Sequence, residues 1–153
     1  MNNNNFKKIT KDITTKQELV YLLDDINQAK DLIYEKSDKK LSEKVKNVVS
    51  EGFRKIIRNQ EDELNTREEQ EEFLNQLKSQ LQSAAQIKLT LAFSPSDSFL
   101  KDISQWLENE TGEHIIIDLT VDPEIVGGAI IEYDGHYLNF GLDKKIEKIN
   151  THE

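Results

Sequence analysis

The placement of helix-breaking residues constrains this chain most. Both prolines, Pro95 and Pro123, and five of the six glycines lie after residue 85, and only Gly52 precedes it. Proline lacks the backbone N–H that a helix needs, and glycine costs about 1 kcal/mol relative to alanine inside one. A stretch nearly free of both reads as helix throughout, and the remainder reads as short, punctuated elements. Charge divides at the same place. Residues 1–85 hold 15 Lys/Arg and 16 Asp/Glu, a net −1, whereas residues 86–153 hold 5 and 13, a net −8. The expected class is α+β. It comprises a disordered terminus over 1–14, a helical domain or arm of about three helices over 15–85, and a small β-α-β-β-β-α domain over 86–150.

In the first part, Thr15 followed by Glu18 is a capping-box pattern, and Leu19, Leu22, Leu23, Ile26 and Ile33 follow it at helical spacing. Leu41, Val45, Val48, Val49, Phe53, Ile56 and Ile57 predict a second helix running to about Leu64, with Gly52 inside it. Thr66 and Glu69 repeat the capping box ahead of Phe73, Leu74, Leu77 and Leu81. Each apolar stripe is narrow and backed by a charged face. Isolated helices are marginal in water, so the stripes must be buried against each other or against a partner. Both outcomes stay open.

The second part carries more information. Ile87, Leu89, Leu91 and Phe93 alternate with Lys88, Thr90 and Ala92, the period of a half-buried strand. Ser94-Pro95-Ser96-Asp97 stops it, and Phe99, Leu100, Ile103, Trp106 and Leu107 predict an amphipathic helix closed by Gly112. Ile115–Val121 is a β-branched second strand ended by Pro123. A third strand is expected from Val126 to Tyr133, opening with Gly127-Gly128. Asp134-Gly135 then turns the chain into a fourth from His136 to about Phe140. Leu142, Ile146 and Ile149 predict a last short helix on the sheet. A helix between the first two strands makes them parallel neighbours.

Several chemistries are excluded or left without a motif. A formal charge of −9 opposes a nucleic-acid surface, and the absence of cysteine removes disulfides, thiol catalysis and thiolate zinc sites. No apolar run is long enough to span a bilayer, and the Asn-rich start has no signal-peptide core, so a soluble or peripheral protein of a reducing compartment is expected. His114, His136 and His152 are scattered, and none forms a ligand pair; the first two are expected at strand ends with one face exposed. The carboxylates mostly mark solvated helix faces. Gly127-Gly128 precedes a strand and not a helix, so it lacks the dipole of a phosphate loop and suits a bulge or a close approach of backbone. Trp106 shares the spacing of Phe99 and Ile103, which favours a core position over an anchor at a partner interface. No catalytic, cofactor or metal site is expected.

Residues 87–149, 63 of the 153, resemble the C-terminal domain of the δ subunit of bacterial F-type ATP synthase, the oligomycin-sensitivity-conferring protein of mitochondria. The likeness rests on element order around Val121-Asp122-Pro123-Glu124-Ile125-Val126-Gly127-Gly128, with Thr111-Gly112 before it and a closing helix bearing Lys144, Lys145 and Lys148. Two departures stand out: Asn139-Phe140-Gly141 replaces the family's Asp-Gly-Ser, and about three helices stand where the family has a six-helix bundle. The resemblance implies a non-catalytic peripheral-stalk subunit of a proton-translocating ATP synthase, at the cytoplasmic face of the bacterial plasma membrane. Its implied partners are the stalk b subunit and the α/β head. Asp122, Pro123, Gly127 and Gly128 are then structural motif residues, and Trp106, Lys144 and Lys145 candidates for partner contact.

Two other readings compete. The E subunit of archaeal/vacuolar-type ATPases also joins long N-terminal helices to a small α+β domain, and its short helical part fits this chain. The Thr111-Gly112 turn and Val121-Asp122-Pro123 strand end fit δ better. A stand-alone α+β adaptor with a coiled-coil arm is a different class. A small hydrolase is disfavoured because it requires a cleft holding at least two carboxylates.

Overall fold

A computed structural model describes residues 9–35, 39–125 and 127–139. The chain forms two compact units. One comprises the residues up to Asp12 together with Glu18–Ser83, and the other comprises Ile13–Gln17 together with the chain from Ala84 onward.

In the helical unit, helix α1 (Lys16–Ile33) buries Leu19, Leu22, Ile26, Ala29 and Ile33 along one stripe. The expected second helix is broken into α2 (Leu41–Lys44), α3 (Glu51–Arg58) and a 3-10 turn at Glu61–Glu63. Ser50 explains the break. Its backbone is extended and its hydroxyl accepts the Phe53 N–H at 3.2 Å, so a new helix starts there. Gly52 therefore sits in a first turn and not inside a long helix. Val48, expected on the stripe, falls in the connecting turns and is exposed. Helix α4 (Arg67–Gln82) opens with the expected capping box: Thr66 Oγ1 accepts the Glu69 N–H at 3.2 Å and Glu69 Oε2 accepts the Thr66 N–H at 2.9 Å.

The stripes are buried on one another. Phe53, Ile57, Phe73, Leu74, Leu77 and Leu81 are each at most 1% exposed, and each such side chain contributes about 1.5–3 kcal/mol by leaving water. Lys30 Nζ donates to Asn75 Oδ1 at 2.7 Å and Lys78 Nζ to Asn27 Oδ1 at 2.8 Å, joining α1 to α4 along their rims. Tyr34 donates to Glu71 Oε2 at 2.8 Å, and that carboxylate holds the phenol above its ordinary pKa.

The second unit contains β1 (Ala85–Leu91), α5 (Asp97–Thr111), β2 (Ile115–Val121), β3 (Ala129–Tyr133) and β4 (His136–Asn139). Sheet order is β2-β1-β3-β4. Strands β1 and β2 are parallel, from Ala85 opposite Ile115 to Leu91 opposite Val121, as the intervening helix predicts. Strand β3 is antiparallel to β1, with Leu89 opposite Ile131, and β4 returns beside β3. Asp134 and Gly135 link the last two strands with φ of 47° and 75°, the paired left-handed residues that a tight hairpin demands. The core lies on one sheet face, where Ile87, Leu89, Leu91, Ile115 and Ile117 meet Leu100 and Leu107 of α5.

Two expectations change. The third strand begins at Ala129, because Gly127 and Gly128 adopt φ of 66° and 93°, outside any strand. Ile13 and Thr14, assigned above to a disordered terminus, are buried, and Thr15 forms an isolated parallel bridge with Ile117. The closing helix over Leu142–Ile149, with Lys144 and Lys145, lies outside the described residues.

Candidate partner-binding surface

The motif residues Asp122, Pro123, Gly127 and Gly128 come together in one turn, and the sheet order explains it. The chain must leave β2, pass the end of β1 and enter β3 on the far side. Asp122 anchors that passage. Its N–H donates to Leu91 O at 2.8 Å, its carboxylate accepts the Glu124 N–H at 3.0 Å, and its carbonyl accepts the Ile125 N–H at 3.3 Å. Gly127 N–H then bonds Ile125 O at 2.8 Å, and the two left-handed glycines turn the backbone into β3. A side chain at either position would meet the left-handed penalty of about 1–2 kcal/mol. This turn carries the chain from β2 across the end of β1 into β3.

Helix α5 provides the exposed face. Ser96 caps it, its hydroxyl accepting the Phe99 N–H at 3.3 Å, and Gly112 closes it at φ 75°. Its buried stripe is Leu100, Ser104 and Leu107. At about 100° per residue, Phe99 and Trp106 lie together roughly a quarter-turn or more from the centre of that stripe. Trp106 is accordingly 54% exposed, against the core position favoured from spacing, while Ile103 packs partly on the core. Phe93, in the loop after β1, meets Phe99 edge-on with ring centroids 5.8 Å apart. Phe93, Phe99 and Trp106 thus leave large aromatic area in water along one side of α5. Trp106 remains a candidate for partner contact on this exposure.

The opposite sheet face carries the fully buried Ile116 at the start of β2 and a row of charge beyond it. Lys88 stands in register with Asp118 on β2 and Glu132 on β3, so charge alternates across three strands. Asp118 Oδ2 also takes Lys16 Nζ at 2.6 Å. Among the described residues, no three His, Cys, Asp or Glu side chains are grouped to hold a metal ion.

Two polar residues carry structural weight that sequence reasoning passed over. Asp25 is 8% exposed, and its carboxylate accepts the Ser50 N–H at 3.1 Å and the Ser50 hydroxyl at 2.5 Å, fixing the start of α3 onto α1. A signal was present: Asp25 interrupts the apolar stripe between Leu22 and Ala29. His114, expected at a strand end with one face exposed, has a largely buried side chain, and its Nε2 donates to Ile13 O at 2.6 Å. Nothing local announced that contact, since it spans 101 residues. His136, at the start of β4, is exposed.

Comparison with known proteins places this chain among relatives. Residues 2–152 match the family described as ATP synthase delta (OSCP) subunit. The ATP synthase subunit delta of Nitrosospira multiformis is 32% identical over 76 residues, covering 50% of this chain and 43% of that protein. Its counterpart in Azorhizobium caulinodans is 31% identical over 62 residues, 40% of this chain and 33% of the relative. That of Xanthobacter autotrophicus is 33% identical over 69 residues, 44% and 33% of the two chains. The aligned region thus spans about a third to two-fifths of these relatives. With the match running from the first helix through the Asp122–Gly128 crossover and beyond, the chain belongs to the ATP synthase delta (OSCP) subunit family.

Proposed function

We propose that this protein is a non-catalytic peripheral-stalk subunit of a proton-translocating F-type ATP synthase, linking the catalytic head to the membrane-anchored b stalk. The family match over residues 2–152 carries this reading. A stator must resist the torque of the rotor, so it needs stiff elements and partner surfaces and no reactive groups. The capped, mutually buried helices supply stiffness, and the aromatic side of α5 supplies surface of the kind enriched at interfaces. No helix among the described residues is long and apolar enough to cross a membrane, which suits attachment through the complex at the cytoplasmic face. The b subunit is the partner assigned to the sheet unit, and the helical unit is assigned to the α/β head or to extension of the stalk. Lys144 and Lys145, with Trp106, are proposed as partner contacts.

The test is a native pull-down of the tagged full chain from gently solubilised membranes, followed by mass spectrometry. Recovery of α, β and b subunits is expected. Recovery of vacuolar-type A and B subunits instead, or of no ATPase subunit, would overturn the assignment.

A further inference from the structure

Residues Ile13–Gln17 belong to the sheet unit although about a hundred residues separate them from β2. Strand β2 is an edge of the sheet, with β1 on its other side. Thr15 lies parallel to Ile117 across that outer edge, and the Ile117 N–H donates to Thr14 O at 2.9 Å. Side-chain anchors flank the bridge. His114 Nε2 donates to Ile13 O at 2.6 Å, and Lys16 Nζ reaches Asp118 Oδ2 at 2.6 Å. Ile13 and Thr14 are 5% and 8% exposed. An exposed strand edge is a template for another chain, and proteins cover such edges with their own segments.

We propose that residues 13–17 are a releasable strap on the β2 edge, occupying a strand-addition site that accepts an extended peptide of the same chemistry. That chemistry is one apolar residue, two hydroxyl residues and a basic residue in succession. The apolar residue takes the buried position of Ile13, the backbone carbonyl after it takes the Ile117 N–H, and the basic residue takes Asp118. Main-chain bonds give such strand addition its affinity and the flanking anchors its selectivity. Release is favoured by two features. The pairing with Ile117 is an isolated bridge and not a continuous ladder, and Lys16, the first residue of α1, is half exposed at its ion pair. Proteins open locally at free energies from near zero up to the global value, and a segment held by a single bridge opens below the core strands.

The test uses the full chain, with amide hydrogen exchange followed by NMR and a synthetic peptide of residues 10–17 as probe. Ile13→Asp removes the apolar anchor. The Ile117 amide is expected to exchange at least ~tenfold faster in this variant, while the Leu89 amide in the core strand β1 keeps its rate, as local opening requires. Added peptide is expected to restore Ile117 protection in the variant and to leave the parent chain unchanged. Unchanged Ile117 exchange would overturn the proposal. So would acceleration shared by Ile117 and Leu89, since the segment would then be an integral strand. Failure of the peptide to restore protection would remove the strand-addition site. If Ile13→Asp does not fold, Lys16→Ala is read in the same way, with a smaller acceleration expected and an unchanged rate counting against the strap.

Discussion

The helical unit and the sheet unit use apolar residues differently. In the first, Ile26, Ile33, Leu41, Ile57, Phe53, Phe73, Leu74, Leu77 and Leu81 are all at most 1% exposed, and the unit is close to charge-neutral. In the second, one sheet face is filled by Ile87, Leu89, Leu91, Ile115 and Ile117, yet Phe93, Phe99, Trp106, Tyr133, Tyr137 and Leu138 keep between 39% and 56% of their surface exposed. The part of the chain carrying most of that unit also holds nearly all of the net negative charge. Among the described residues the helical unit leaves Val20, Tyr21, Tyr34 and Val48 in water, fewer large apolar side chains than the sheet unit does. A unit that leaves aromatic edges in water keeps area for a partner, at a cost in solubility that its charge offsets.

This contrast can be broken by substitution, and the largest effect is expected in the closed core. Phe73→Ala should cost about 3–5 kcal/mol, because a fully buried aromatic leaves both lost transfer energy and a cavity. Denaturant titration followed by circular dichroism measures it, and a loss below about 1 kcal/mol would show that the helical unit is not close-packed.

Asp25→Ala comes next. It strands the Ser50 N–H and hydroxyl near the start of α3, with an expected cost of about 1–3 kcal/mol for unsatisfied buried groups. Ser50→Ala on the Asp25→Ala background should then cost only the lost cap on the Phe53 N–H, about 0.5–2 kcal/mol, so the double substitution falls short of the sum of the two single ones.

In the sheet unit, Gly128→Ala tests the crossover at φ 93°. About 1–2 kcal/mol is expected from the left-handed penalty alone. A neutral result would mean that the turn relaxes without the family's glycine pair.

Trp106→Ala should change stability by less than about 1 kcal/mol, as surface positions do, while weakening recovery of partner subunits. A large loss of stability with unchanged partner recovery would place Trp106 in a core after all.

The smallest effect concerns pH. Glu69 accepts the Thr66 and Asn65 N–H groups, chiefly that of Thr66, and these hold its carboxyl below the usual glutamate range. A carboxyl whose folded pKa is lowered stabilises fully above its unfolded value, and the contribution disappears as pH falls through the folded one. The start of α4 should therefore loosen on acidification through that window, read from backbone amide shifts at residues 66–69. Glu69→Ala should abolish the pH dependence.

The element types were largely legible because they depend on neighbours in sequence. The capping box at Thr66 and Glu69, the alternation over Ile87–Leu91, the Asp134-Gly135 hairpin and the parallel β1–β2 pair all formed as their spacing implies. The single long helix over 41–64 failed because Ser50 has a tertiary partner in Asp25, which stabilises a cap where the apolar period alone continues. Trp106 was misplaced because Phe99, Ile103 and Trp106 give a helix stripe as regular as that of Leu100, Ser104 and Leu107, and periodicity cannot say which faces the sheet.

The sequence by itself determined the α+β class, the order of the described strands and helices, and the glycine-dependent turns, since propensity, capping and φ restrictions act within a few residues. Only the tertiary structure decided that the helical stripes are buried on one another, that Trp106 faces water, and that Ile13–Gln17 lie on the edge of β2. Those outcomes depend on which surfaces meet across tens of residues, and the net energy of each such meeting is small beside the chain entropy it must overcome.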